Sequence, residues 1–139
     1  MIPVVMCVDD DPIVLMLNEL VLREHSFCNE LIKIESAELA IAYFSQQSQL
    51  PKGQAVIPNI LFLDINMPTM DGWGFLDEFA EKFQEYHSKV SIVILSSSVN
   101  PADIDKANNH PLVIGFMPKP IGDIELDELK KHPAISSLY

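Results

Sequence analysis

Arginine is nearly missing from this chain: Arg23 is the only one in 139 residues. Lys and Arg together number 9 against 20 Asp and Glu, a formal charge of -11. Phosphate backbones are bound through clusters of Lys and Arg, and anionic lipid surfaces attract basic segments. Nucleic acid and membrane surfaces are therefore poor candidates for partners. Cysteine is scarce too, with Cys7 and Cys28 far apart. Cys7 lies in the apolar run Val4-Val5-Met6-Cys7-Val8 and reads as a buried thiol, and no disulfide framework is expected. The N-terminus has no basic stretch leading into a long apolar segment, so no signal peptide is read there. No apolar run approaches the ~20 residues of a membrane span. The expected location is the cytoplasm. Gly-rich phosphate loops are also absent, which argues against a bound nucleotide.

What is present is a repeating pattern. Five short apolar runs, at 3–8, 31–34, 60–63, 90–95 and 112–117, have strand length and are rich in Val, Ile, Leu or Phe. Four are nearly continuous, as in parallel strands covered on both faces. The second is interrupted by Lys33, which predicts an edge strand. Helices are predicted between them. Asp11-Pro12 pairs an N-cap with proline at the first helical position. Ser36 caps a second helix, read as ending before a loop at 46–58. Phe75, Leu76, Phe79, Ala80 and Phe83 form one stripe of a third. Asn100-Pro101 opens a short, weakly apolar fourth, with Ile104 and Ala107 as its buried candidates. A fifth runs from about Asp123 to Lys131 and stops before His132-Pro133. Five β-α units imply an α/β fold, a parallel sheet with right-handed crossovers and five helices on both faces. The length fits one domain over 1–139, since soluble domains cluster near ~100–150 residues. No linker or repeat divides it.

In such sheets ligands bind outside the carboxyl ends of the strands. Strand one ends in Asp9-Asp10-Asp11, strand three in Asp64, strand four in Ser96-Ser97-Ser98, and strand five in Lys119 between Pro118 and Pro120. Taken singly, Asp11 is an N-cap, Lys119 a surface charge and the Ser run a turn. Taken together, complementary groups end four strands at one sheet edge. Three carboxylates held close repel, raising a pKa unless a cation intervenes. Carboxylates and carbonyl oxygens are hard ligands that suit Mg²⁺, which keeps open positions for phosphoryl oxygens. Lys119 adds a compact positive charge, and a serine hydroxyl can donate to a phosphoryl oxygen. Such a set can accept a phosphoryl group on a carboxylate by positioning and electrostatics.

Asp9-Asp10, the string Asp64-Ile65-Asn66-Met67-Pro68-Thr69-Met70-Asp71-Gly72, Ser96 and Lys119-Pro120 together resemble the receiver domain of bacterial response regulators, in order and with the family's spacing. The resemblance implies a flavodoxin-like doubly wound sheet of strand order 2-1-3-4-5. It implies Asp64 as phosphoacceptor, taking a phosphoryl group from the phosphohistidine of a sensor histidine kinase or a histidine phosphotransfer protein. It implies Mg²⁺, with Mn²⁺ as an alternative, on Asp10, Asp64 and the Asn66 backbone carbonyl, with Asp9 acting through water. Ser96 would be the switch hydroxyl, Phe116 the switch aromatic and Lys119 the phosphoryl contact. Phe at 116 cannot make a hydroxyl hydrogen bond when it turns inward. Small Ser97 leaves a path to Asp64, with Asn66 and Ser98 flanking the route for attacking water, so autodephosphorylation is expected.

The resemblance further implies a two-component phosphoprotein, not an enzyme acting on a separate substrate. The chain reads as a stand-alone receiver signalling through an output protein on the face of helix four, strand five and helix five. The alternatives are an excised receiver fragment, a phosphorelay shuttle, a non-phosphorylated binding module, and an aspartyl-phosphate hydrolase. The last would want Asp where Asn66 stands.

Overall fold

The computed structural model describes residues 1–98 and 100–138. Five strands, β1 (Ile2–Val8), β2 (Cys28–Ile34), β3 (Ile60–Asp64), β4 (Ser91–Ser96) and β5 (Val113–Pro118), form one sheet in the order β2-β1-β3-β4-β5. All four pairings are parallel. The helices are α1 (Pro12–Glu24), α2 (Ala37–Ser48), α3 (Gly72–Lys82), α4 (Pro101–Asn108), α5 (Asp123–Lys131) and α6 (Pro133–Ser136). The expected fold class and strand order are therefore the observed ones.

Alternation along each central strand divides the core into two layers. Met6, Val8, Leu61, Leu63, Ile92 and Ile94 pack with α2, α3 and Ala107 of α4. Val5, Cys7, Ile60, Phe62, Val93 and Leu95 pack with α1, α5 and α6. Both faces are thus buried, which is why these strands read as unbroken apolar runs. Cys7 is buried within the second layer. An aromatic seam joins α2 to α3, with Phe44 edge-on to Phe79 at 5.0 Å between centroids and further contacts to Phe75 and Phe83. Such pairs add roughly 0.5–1.5 kcal/mol beyond their burial.

β2 is an edge strand, as Lys33 predicts, and that lysine is tied to Glu19 of α1 at 2.7 Å. Elsewhere boundaries differ from the sequence reading. β2 begins at Cys28 instead of Leu31, because its polar first turn is held by pairing with β1. α2 continues to Ser48, into the stretch read as loop. Five helices are expected and six are found among the described residues, with a 3-10 turn at Gln84–Tyr86 besides. His132-Pro133 ends α5 but also starts α6, the His132 Nδ1 accepting the Ala134 N–H. In β5 a register shift inserts Ile114, so that Val113 and Phe116 both face the α4 layer. Among the described residues no helix is long and apolar enough to cross a membrane.

Candidate functional site

Sheet register alone assembles the site. Val8 pairs with Leu63, so the next residues, Asp9 and Asp64, stand side by side. Asp64 pairs with Leu95, which brings Ser96 to the same edge, and Ser96 pairs with Pro118, which places Lys119 beyond it. The apolar runs thus end together, and the polar residue after each projects at one rim.

Asp64 is fully buried and Asp9 nearly so, while Asp10 is exposed. One oxygen of each of the three carboxylates lies within 4.8 Å of the others. The Lys119 ammonium, itself largely buried, sits 3.2 Å from both Asp9 Oδ2 and Asp64 Oδ2. Asp9 Oδ1 accepts the Asp11 N–H at 2.9 Å, and Asp64 Oδ1 accepts the Asn66 N–H at 3.1 Å. Asp64 Oδ2 is buried with no hydrogen-bond partner.

Burial pushes both carboxyls above their ordinary range, against the opposing pull of backbone N–H groups and Lys119. Burial would lower the Lys119 ammonium, but Asp64 and Asp9 outweigh it and raise it. Two buried carboxylates, an exposed third and a single ammonium leave the cluster short of positive charge. An oxygen-only donor set with one orphaned carboxylate oxygen fits a hard divalent cation.

Ser96 is buried, and its hydroxyl donates to the Ser98 carbonyl at 2.7 Å and accepts the Ser98 N–H at 3.3 Å. Ser97, Ser98 and Asn66 are exposed around the carboxylate rim. Phe116 is half-buried on β5, packed against the α4 layer.

The loop from Asp64 to α3 is tightly built. Asp71 caps α3 by accepting the Gly74 N–H at 2.8 Å. A Cβ at Gly72 would fall 2.7 Å from the Asp64 carbonyl oxygen and from Ile65 Cα, so only glycine lets α3 start this close to the strand. Thr69 has φ +69°, with Met70 N–H bonded to the Pro68 carbonyl at 2.8 Å. A positive φ is uncommon for a β-branched residue. The Lys119-Pro120 peptide is cis.

The structure thus brings Asp9, Asp10, Asp64, Ser96 and Lys119 to one rim and holds Phe116 one layer below. Sequence reasoning missed Asn18, which is buried on α1 and accepts the Ile121 N–H next to the Lys119-Pro120 turn. Its signal was a polar residue on the stripe of Leu15 and Leu22.

A five-stranded parallel sheet with a cluster of carboxylates and a lysine at its carboxyl edge defines a receiver-type α/β domain. The chain belongs to the response regulator receiver domain family, whose profile matches residues 5–131. A curated relative, response regulator Rcp1 of Synechocystis sp., is 29% identical over 101 residues, covering 73% of this chain and 66% of that protein. A two component response regulator from Cytophaga hutchinsonii superposes with a TM-score of 0.86 at 29% identity, covering 99% of this chain and 96% of that one. A response regulator receiver protein from Dyadobacter fermentans shares the fold at a TM-score of 0.76 and 24% identity, covering 92% and 94%.

Proposed function

We propose that this receiver accepts a phosphoryl group on Asp64 from the phosphohistidine of a sensor histidine kinase or phosphotransfer protein. The supporting observation is the buried Asp64 Oδ2, which lacks a hydrogen-bond partner and lies 3.2 Å from the Lys119 ammonium. In the transfer, a carboxylate oxygen of Asp64 forms a bond to phosphorus. The P–N bond breaks, and its electron pair stays on the imidazole. Asp10, Asp64 and the Asn66 backbone carbonyl would hold Mg²⁺ or Mn²⁺, with Asp9 acting through water. When bound, the ion neutralises charge on the phosphoryl oxygens. Lys119 pairs with a phosphoryl oxygen. Ser96 exchanges its Ser98 bond for one to the phosphoryl group, and Phe116 follows it.

Such a switch is energetically reasonable. Moving a two-state equilibrium from 1:99 to 99:1 takes about 5.5 kcal/mol. A phosphoryl group adds about two charges, and charge-assisted hydrogen bonds contribute roughly 1.5–3 kcal/mol each. The output is a protein partner on the α4–β5–α5 face, in the cytoplasm. The domain turns over only its own aspartyl phosphate.

The test is incubation with acetyl phosphate and Mg²⁺, followed by intact-mass measurement. One phosphoryl mass is expected in the wild type and none in Asp64→Asn. No gain in the wild type, or an equal gain in the variant, would refute the reading.

A further inference from the structure

Asp9, Asn18, Asp64 and Ser96 are the buried polar side chains among the described residues. Three belong to the carboxylate rim. The fourth, Asn18, stands in the middle of α1 on the stripe between Leu15 and Leu22. Its Oδ1 accepts the Ile121 N–H at 3.0 Å, across 103 residues of sequence, and its Nδ2 is buried with no hydrogen-bond partner. An aliphatic side chain would fill this place without burying an unpaired donor. The amide is therefore better explained by its acceptor than by its packing.

That acceptor completes the restraint on one short segment. In Lys119-Pro120-Ile121, the Lys119 N–H donates to the Ser96 carbonyl at 3.0 Å, Pro120 has no N–H, and the Ile121 N–H goes to Asn18. Every backbone donor of the segment is thus committed, one to β4 and one to α1. Between them the Lys119 side chain reaches two carboxylates at 3.2 Å each.

We infer that Asn18 is the positioning residue for Lys119: by holding Ile121 it fixes the turn from which the ammonium meets the phosphoryl group. The inference rests on the proposed function. Asn18 hydrogen-bonds to Ile121 and to none of the carboxylates, so its effect on phosphoryl uptake is expected to run through Lys119. Small misplacements of a charged group can slow a reaction by about a hundredfold.

The experiment is a double-mutant cycle. Uptake from acetyl phosphate at fixed Mg²⁺ is timed for wild type, Asn18→Leu, Lys119→Ala and the double variant. Mg²⁺ affinity and thermal midpoint are measured alongside. Asn18→Leu is expected to slow uptake by about ten- to a hundredfold and to leave Mg²⁺ affinity within about twofold. It should cost nothing further once Lys119 is alanine, because the two residues act as one unit. A purely structural role would move the thermal midpoint and leave that coupling at zero. Should leucine prevent folding, Asn18→Ala enters the same cycle with the same expectation. Wild-type uptake rates in the Asn18 variant, or an equal loss with and without Lys119, would overturn the inference alone. A wild type that takes up no phosphoryl group would overturn both it and the proposed function.

Discussion

Asp64 is a residue whose site is at odds with stability. Its carboxylate is fully buried, one oxygen accepts no hydrogen bond and is met only by the Lys119 ammonium at 3.2 Å, and burial raises its pKa. An acid raised on folding favours the folded state only while protonated. Below its unfolded value of ~3.9 both states carry the proton and nothing is lost. As pH rises through that value toward the higher folded one, the unfolded chain ionises first and stability falls. The penalty grows with pH until the folded carboxyl has ionised as well. Asn is close in shape and has no charge to bury. In metal-free protein, Asp64→Asn should therefore be more stable by about 1–3 kcal/mol at pH 7, the size of an unsatisfied buried group, and the gain should shrink below pH ~4. Urea unfolding in EDTA at both pH values measures this, and a variant weaker than wild type at pH 7 would contradict it. The carboxylates, Ser96 and Lys119 were legible because each lies within two residues of the end of an apolar run, and register converts that position into proximity. Asn18 and the engaged Ser96 hydroxyl were not, since their partners lie across the fold or in a loop conformation that no periodicity encodes.

At the scale of elements, the ends carry what the pattern does not. α1 starts as its Asp11-Pro12 signal demands, with Asp11 accepting the Ile13 N–H at 2.9 Å. It stops without a glycine. Ser26 has φ +48°, the Ser26 N–H bonds to Arg23 and the Phe27 N–H to Leu22, each at 3.0 Å, in a Schellman arrangement. A left-handed conformation costs a non-glycine residue roughly 1–2 kcal/mol, of which glycine gives part back as unfolded-state entropy. Ser26→Gly should stabilise the domain by about 0.5–1 kcal/mol without altering phosphoryl uptake. A chevron or equilibrium urea curve reads the gain, and an unchanged midpoint would mean that the turn relaxes elsewhere. The same reasoning explains the misplaced boundaries. The polar start of β2 is a strand only because β1 supplies its partner, and the Ile114 insertion in β5 exists only in relation to β4. Both are properties of pairs of segments, which a single segment cannot announce.

For the whole molecule, a net charge of -11 and a localised trio of carboxylates both respond to added cations, but differently. Self-repulsion among scattered surface charges is relieved by any salt, because screening at ~0.1 M reaches only about 10 Å. A cation held by Asp10, Asp64 and their neighbours, as proposed, would instead be linked to folding by mass action. At a hundred times its dissociation constant it stabilises by about 2.7 kcal/mol. For a domain of this size that corresponds to a thermal midpoint raised by roughly 10 °C. The two contributions separate when MgCl₂ is compared with NaCl at equal ionic strength. Wild type should gain with both salts and gain more with Mg²⁺. Asp10→Asn, changed at the exposed carboxylate that opens the site to solvent, should keep the NaCl response and lose the Mg²⁺ excess. The excess should also fade on acidification, since protons compete for the same oxygens. If Asp10→Asn retains the full Mg²⁺ excess, the ion is acting on the acidic surface at large and the three carboxylates are not its site.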